Sequence, residues 1–325
     1  MKIGVFDSGV GGLSVLKALL DVRLFDEIIY YGDTARVPYG VKDRDTIVRF
    51  SLEALGFFAP FGIDMLIIAC NTASAYALKA LRASANFPVL GVIDAGVLAV
   101  QRALSDSNAQ ILVIGTKATI KSQQYQKRLF KAGFKRVQAL ATGLFVPMVE
   151  EGIFEGALVQ AAFEHYFKPL NFGENVNFGG NLSENSRNLN GCGLNGDFGV
   201  AENSQILNAD LNGDLSAAAR NLRDLNGVLN GNLNAVKNSR DFNAKNSHAP
   251  DALILGCTHF PLLSKALQGY FGDKTRLIHS GDAIVSQLQS EFNLRPKRHK
   301  SKVHFHATSD IKALKNTAKL WLSGV

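Results

Sequence analysis

Apolar residues fall along this chain in two alternating rhythms. Short runs rich in β-branched and aliphatic residues at Lys2–Phe6, Glu27–Tyr31, Met65–Ala69, Val89–Ile93, Gln110–Ile114, Arg136–Leu140, Ala252–Gly256, Arg276–Ser280 and Val303–Ala307 read as strands. Between them, apolar positions recur with the spacing of one helix face at Leu13–Val22, Ala73–Ala83, Lys121–Ala132, Ala157–Tyr166 and Ile311–Leu322. Strands alternating with amphipathic helices are the pattern of repeated βα units, which predicts α/β architecture with parallel sheets covered on both faces.

From Asn171 to about His248 both rhythms stop. The composition changes to Asn, Gly, Leu and Ser, and the phrase Leu-Asn-Gly recurs at Leu189, Leu194, Leu211, Leu225 and Leu229 at irregular intervals. Irregular spacing argues against a solenoid. The leucines are too sparse for burial to offset the entropy of ordering the chain, so a flexible surface excursion is expected here. Cys192 lies inside it and is read as an inert, exposed thiol.

The chain's 325 residues are enough for two cores. No apolar run approaches the roughly 18 residues of a membrane helix, and Met1-Lys-Ile-Gly-Val-Phe opens straight into a strand without a signal-peptide pattern. The expectation is a cytoplasmic protein that does not engage a membrane. Three cysteines without a C-x-x-C pair argue against a disulfide framework or a dithiol redox site. The net charge of +7 owes five units to Arg295, Lys297, Arg298, Lys300 and Lys302, leaving +2 for everything else. No aromatic residues interleave with these charges, so the stretch reads as a solvated loop and a nucleic-acid partner is not expected.

The strings Ile67-Ile-Ala-Cys-Asn-Thr72 and Leu253-Ile-Leu-Gly-Cys-Thr-His259 carry the chemistry. Each puts a cysteine, Cys70 or Cys257, at the end of an apolar strand where a helix is expected to open. The carboxyl edge of a parallel sheet is where ligands of open α/β folds bind. Helix-start N–H groups are expected to favour the thiolate, with Asn71, Thr72, Thr258 and His259 as polar neighbours. Duplicated junctions suggest two pseudo-symmetric parallel-sheet α/β domains with the active site in the cleft between them. The first domain is expected to comprise 1–92 and 281–325, and the second 93–280 with the Asn/Gly-rich insertion inside it.

The cysteine strings occur together with Gly4-Val-Phe-Asp-Ser-Gly-Val-Gly-Gly12, Tyr31-Gly-Asp-Thr-Ala-Arg-Val-Pro-Tyr-Gly40 and Val146-Pro-Met-Val-Glu-Glu-Gly152. This combination resembles the glutamate racemases of the cofactor-independent aspartate/glutamate racemase superfamily. The resemblance covers residues 1–170 and 250–325 in order; only the insertion departs from it. It implies interconversion of L- and D-glutamate, supplying D-glutamate for peptidoglycan, by two cysteines on opposite faces of the α-carbon. It implies no cofactor, a small-molecule substrate (glutamate), and a homodimer. Asp7 and His259 match the family's assistants to the two cysteines. Glu150 matches a further carboxylate, with Glu151 a neighbour that could be confused with it. Asp33 matches an acidic position without an assigned role. By the same motif match, Asp7, Ser8, Tyr39, Gly40, Asn71, Thr72, Thr258 and His259 hold the substrate, with Thr116 and Thr119 as weaker candidates.

Taken singly, these residues have plainer readings. Asp7 in Asp-Ser-Gly could be a turn cap, Tyr39-Gly40 a turn, Thr116 a helix cap, and either cysteine a small buried apolar side chain. Gly9-Val-Gly-Gly12 fits neither G-x-G-x-x-G nor the Walker A spacing, so its glycines are read as letting backbone approach a small anion. Rival functions are a racemase of aspartate or another amino acid, a metal-binding module built on Cys70, Cys257 and His259, and a non-catalytic amino-acid-binding protein. Replacing about Phe172–Ser247 by a short linker is expected to leave activity largely intact; a folded but inactive deletion protein would mean that the insertion shapes the cleft.

Overall fold

The computed structural model describes residues 1–170, 172 and 249–323. Nine strands form two wholly parallel sheets among these residues. The first sheet holds β1 (Lys2–Asp7), β2 (Glu27–Gly32), β3 (Met65–Ile68), β4 (Val89–Gly91) and β9 (Lys302–Ala307) in the order β4-β3-β1-β2-β9. The second holds β5 (Gln110–Gly115), β6 (Arg136–Ala141), β7 (Ala252–Gly256) and β8 (Arg276–Ile278) in the order β6-β5-β7-β8. Cys70 follows β3 and Cys257 follows β7, each an interior strand of its sheet, so both thiols stand at carboxyl edges as the strand pattern implied.

Interior strands buried on both faces explain why the sequence shows them as continuous apolar runs. Ile3, Val5, Ile28, Tyr30, Met65 and Ile67 face one side of the first sheet, under α1 (Leu13–Val22). Phe6, Ile29, Tyr31, Leu66 and Ile68 face the other, under α2 (Arg44–Phe58). Asp43 caps α2 by accepting the Thr46 N–H at 2.9 Å.

Several boundaries differ from the sequence pattern. Val89–Ile93 reads as one strand, yet the strand stops at Gly91 and Val92 opens the helix α5 (Val92–Ala103), after α3 (Asn71–Tyr76) and α4 (Leu78–Ser84). Val92 and Ala95 pack into the first sheet's core, while Ile93, Val97 and Val100 pack into the second's. A helix buried on two sides loses the polar face that would reveal its period. Likewise Arg276–Ser280 ends as a strand at Ile278, and Ser280 opens a helix, Ser280–Glu291, whose Ala283, Ile284 and Leu288 join the first sheet's core.

The expected helix Ala73–Ala83 is α3 and α4, separated at Ala77. The expected helix Lys121–Ala132 is α6 (Lys117–Ser122) and α7 (Gln124–Lys131), parted by Gln123 in the left-handed region at φ 57°. After Cys257 the chain makes a 3-10 turn, Phe260–Leu263, before the α-helix Ser264–Phe271, so no α-helix opens at that cysteine.

The insertion at 173–248 and Cys192 lie outside the described residues. Phe172, by contrast, is buried among Phe167, Phe271 and Leu253, and its carbonyl accepts from Gln110 Nε2. A deletion therefore has to begin beyond it. Truncation of this ring, Phe172→Ala, is expected to cost about 3–5 kcal/mol, measured as a lower urea midpoint with an unchanged slope; a loss under about 1 kcal/mol would mean that the ring does not pack in the core.

Candidate active site

Cys70 caps the short helix α3, and its sulfur accepts the Ala73 N–H at 3.4 Å while its thiol donates to Ser8 Oγ at 3.4 Å. Helix-start N–H groups were expected to favour the thiolate, but the structure reverses that balance. Burial pushes the Cys70 thiol up to about 12, and the charge of nearby Asp7 pushes in the same direction; Ser8 and the Ala73 N–H oppose them with less effect. A six-residue helix does not offset the loss of water around the sulfur.

Asp7 ends β1 and is fully buried. One carboxylate oxygen accepts the Gly9 N–H at 2.9 Å and the other accepts Thr258 Oγ1 at 3.4 Å. Desolvation holds its pKa above the ordinary value, against the opposing charge of His259. A carboxylate that binds its proton more tightly than usual is a better base for a neighbouring thiol.

Cys257 has a different partner. Its sulfur lies 3.7 Å from His259 Nδ1, and His259 Nε2 lies 3.0 Å from Glu150 Oε1. Burial by itself would lower the histidine's pKa, but hydrogen bonds to Cys257 and Glu150 outweigh it and raise the imidazole to about 10. An imidazolium at neutral pH can donate to the sulfur through Nδ1 while Glu150 steadies Nε2. This geometry also separates the two adjacent glutamates: Glu150, itself exposed, ends the helix α8 (Phe145–Glu150) and reaches the histidine, whereas Glu151 is the residue that caps that helix.

The two junctions are pressed together by the loop after β1. Ser14 Oγ donates to the Thr258 carbonyl at 2.7 Å. A Cβ on Gly11 would stand 2.3 Å from Thr258 Oγ1 and 2.6 Å from the His259 ring, and one on Gly12 would stand 2.4 Å from Asp7 Cβ. These glycines therefore admit the opposing junction and the catalytic candidates themselves, where the sequence pattern suggested room for a small anion.

Thr72, in α3 just after Cys70, and Thr116 and Thr119, after β5, form a triangle of hydroxyls: 2.9 Å from Thr72 to Thr116, 3.1 Å from Thr72 to Thr119, and 2.9 Å between the last two. Thr116 also caps α6, so the cap reading and the site reading both apply to it. Gly40 lies against this triangle, where a Cβ would stand 2.6 Å from Thr116 Cβ. Tyr39 turns its hydroxyl away from the triangle and donates to Asp33.

Asp33 acquires a role here that its sequence context did not supply. It is fully buried and accepts from Arg36 Nε at 2.7 Å, from Thr308 Oγ1 at 2.8 Å and from Tyr39, while its own N–H bonds the Asp7 carbonyl at 3.0 Å. It anchors the loop that carries Tyr39-Gly40 to the end of β1. Tyr125, Ser280, Ser14 and Thr308 support the site and were not singled out by motif, because their partners come from distant parts of the chain. Among the described residues, no cluster of three or more His, Cys, Asp and Glu side chains is placed to hold a metal ion, which leaves the metal-module reading without a ligand set.

Comparison with known proteins agrees with this geometry. The Asp/Glu/Hydantoin racemase family profile matches residues 14–170. A protein from Campylobacter jejuni subsp. jejuni named glutamate racemase is 54% identical over 323 residues, spanning 99% of this chain and 98% of that one. This chain belongs to the glutamate racemase family. Two solved structures of the family place its fold beside this one. The Campylobacter jejuni crystal structure is 54% identical, superposes with a TM-score of 0.75, and covers 100% of this chain and 99% of its own. That of the Francisella tularensis glutamate racemase, in complex with D-glutamate, is 27% identical with a TM-score of 0.65, covering 99% of this chain and 93% of its own.

Two outcomes follow from the site geometry. Asp33→Asn weakens three hydrogen bonds to a buried carboxylate while Arg36 keeps Glu53, and is expected to cost about 1–3 kcal/mol in urea unfolding, with a rise in KM larger than any change in kcat; unchanged stability would remove the anchoring role. In the ligand-free protein, alkylation of Cys70 followed by peptide mapping is expected to stay slow through pH 9 and to rise toward a midpoint near 12. A midpoint near 8.5, the ordinary thiol value, would show that burial does not control this sulfur.

Proposed function

We propose that the chain interconverts L- and D-glutamate by proton transfer between Cys70, Cys257 and the substrate α-carbon. The observation that carries this reading is the placement of two cysteines at equivalent strand ends, each with its own acid–base neighbour, Asp7 for Cys70 and His259 for Cys257. The identity to proteins named glutamate racemase supports glutamate over aspartate as substrate.

The reaction needs one thiolate and one thiol at a time. In one direction the Cys257 thiolate takes the α-proton from one face while the Cys70 thiol delivers its proton to the other face, so Cys257 ends as thiol and Cys70 as thiolate. The opposite enantiomer runs the same transfers backwards. Asp7 and burial hold the proton on Cys70, and a protonated His259 puts positive charge beside Cys257, so the two sulfurs have unlike neighbours for the transfer. A substrate ammonium near Asp7 would offset the charge that disfavours the Cys70 thiolate. Hydroxyls of Ser8, Thr72, Thr116, Thr119 and Thr258, with Asn71 and the Tyr39-Gly40 backbone, offer donors for two carboxylates.

No cofactor is invoked, because the two thiols supply both the base and the acid. Racemisation of glutamate in this way would supply D-glutamate for peptidoglycan. We place the enzyme in the cytoplasm, as a homodimer; no helix among the described residues is long and apolar enough to cross a membrane. The two halves would divide at about 1–92 with 281–325, and 93–280.

In D2O, purified protein without added cofactor is expected to incorporate deuterium at the α-carbon of L-glutamate as optical rotation is lost, and to leave L-aspartate unchanged. Exchange with aspartate instead would redirect the reading to its rival, and binding without exchange would make the chain a non-catalytic module. Cys70→Ala and Cys257→Ala are each expected to abolish racemisation in both directions; turnover at the unmodified rate by either variant would remove the two-base mechanism. His259→Asn should lower kcat by about 10²–10⁴.

A further inference from the structure

Tyr125 lies on α7, over the second sheet, and is 1% exposed. Its ring occupies space that two glycines leave open: a Cβ on Gly96 would stand 3.2 Å from it and one on Gly256 3.3 Å. Gly256 immediately precedes Cys257. The Tyr125 hydroxyl crosses to the other half of the cleft and donates to Asn71 Oδ1 at 2.7 Å, and Asn71 immediately follows Cys70. From there Asn71 Nδ2 donates to Ser280 Oγ at 3.3 Å, and Ser280 Oγ donates to the Leu255 carbonyl at 3.4 Å, two residues before Cys257. A buried chain of hydrogen bonds thus runs from the Cys70 junction to the Leu255 carbonyl at the Cys257 junction, and the Tyr125 ring packs against Gly256 beside it.

We propose that Tyr125 is a positioning residue, whose hydroxyl fixes the Asn71 side-chain amide and ties it to both cysteine junctions. An asparagine amide has two orientations with opposite donor and acceptor ends. With its oxygen committed to Tyr125 and one N–H committed to Ser280, Asn71 keeps its second N–H to offer to a substrate carboxylate. Burial holds the phenol far above its ordinary pKa, so it remains a donor through the working range. Without that hydroxyl the amide oxygen is left buried and unpaired, and the amide is free to turn. The inference rests on the proposed substrate role of Asn71, and Tyr125 itself touches no reacting atom.

The test is a double-mutant cycle joined to a spectroscopic readout. Tyr125→Phe keeps the ring and its packing. It is expected to lower kcat/KM by about tenfold in both directions, chiefly through KM, and to have no further effect in an Asn71→Ala background. Equal losses in the two backgrounds would overturn the inference, since packing alone would act independently of Asn71. Ser280→Ala, which loosens the other end of the amide, is expected to show the same dependence on Asn71. In the ¹⁵N–¹H spectrum, the Asn71 side-chain amide pair, assigned by its loss in Asn71→Ala, should exchange slowly with solvent in the unmodified protein and at least tenfold faster in Tyr125→Phe. Unchanged exchange would overturn the positioning role. Because this readout does not require turnover, an unmodified protein that fails to racemise glutamate would refute the proposed function and still leave the role of Tyr125 decided.

Discussion

The site depends on a contact between two loops that leaves no room for a methyl group. The segment after β1 lies so close to Thr258 and His259 that a Cβ on Gly11 would overlap both, and Gly12 lies equally close to Asp7. This approach places the Asp7 carboxylate within reach of Thr258 and brings the end of the first sheet onto the end of the second. Protein interiors are close-packed and transmit small displacements. A larger side chain at either glycine would move the very groups that flank the cysteines.

Two similar strand ends create two dissimilar thiols. Both cysteines are nearly buried, and at Cys70 the loss of water disfavours the thiolate. What differs is the neighbouring charge. Asp7 adds negative charge beside Cys70 and holds its proton in place. His259, raised to about 10 by Cys257 and Glu150, adds positive charge beside the other sulfur. The two strand ends are alike in the fold, and the charges placed beside their sulfurs are opposite in sign.

The supporting network joins local contacts within one loop to contacts between distant parts of the chain. Asp33 joins β2 to the loop after β9 through Thr308, and to its own loop through Arg36 and Tyr39. Tyr125, packed on the second sheet, and Ser280, which opens a helix of the first sheet's core, both bond the residue that follows Cys70. None of these pairings is adjacent in the chain, and each satisfies a buried polar group that would otherwise destabilise the fold.

Local pattern was enough to locate the strands, though not all their ends, and to put both cysteines at strand ends. A strand buried on two faces is a run of apolar residues, and Leu13–Val22 shows its helix by period alone. The short motifs likewise identified Asp7, Glu150 and His259 as candidates. Tertiary structure decided what periodicity cannot express. It decided that Val92 and Ile93 belong to a helix shared by two cores, that Gln123 breaks a helix, and that Phe172 belongs to the core. It also decided that burial, more than a helix start, controls Cys70, and that Asp33 and Tyr125 hold the site in place. Desolvation and long-range hydrogen bonds depend on which distant residues surround a group, and residue order along the chain does not specify those neighbours until it has folded.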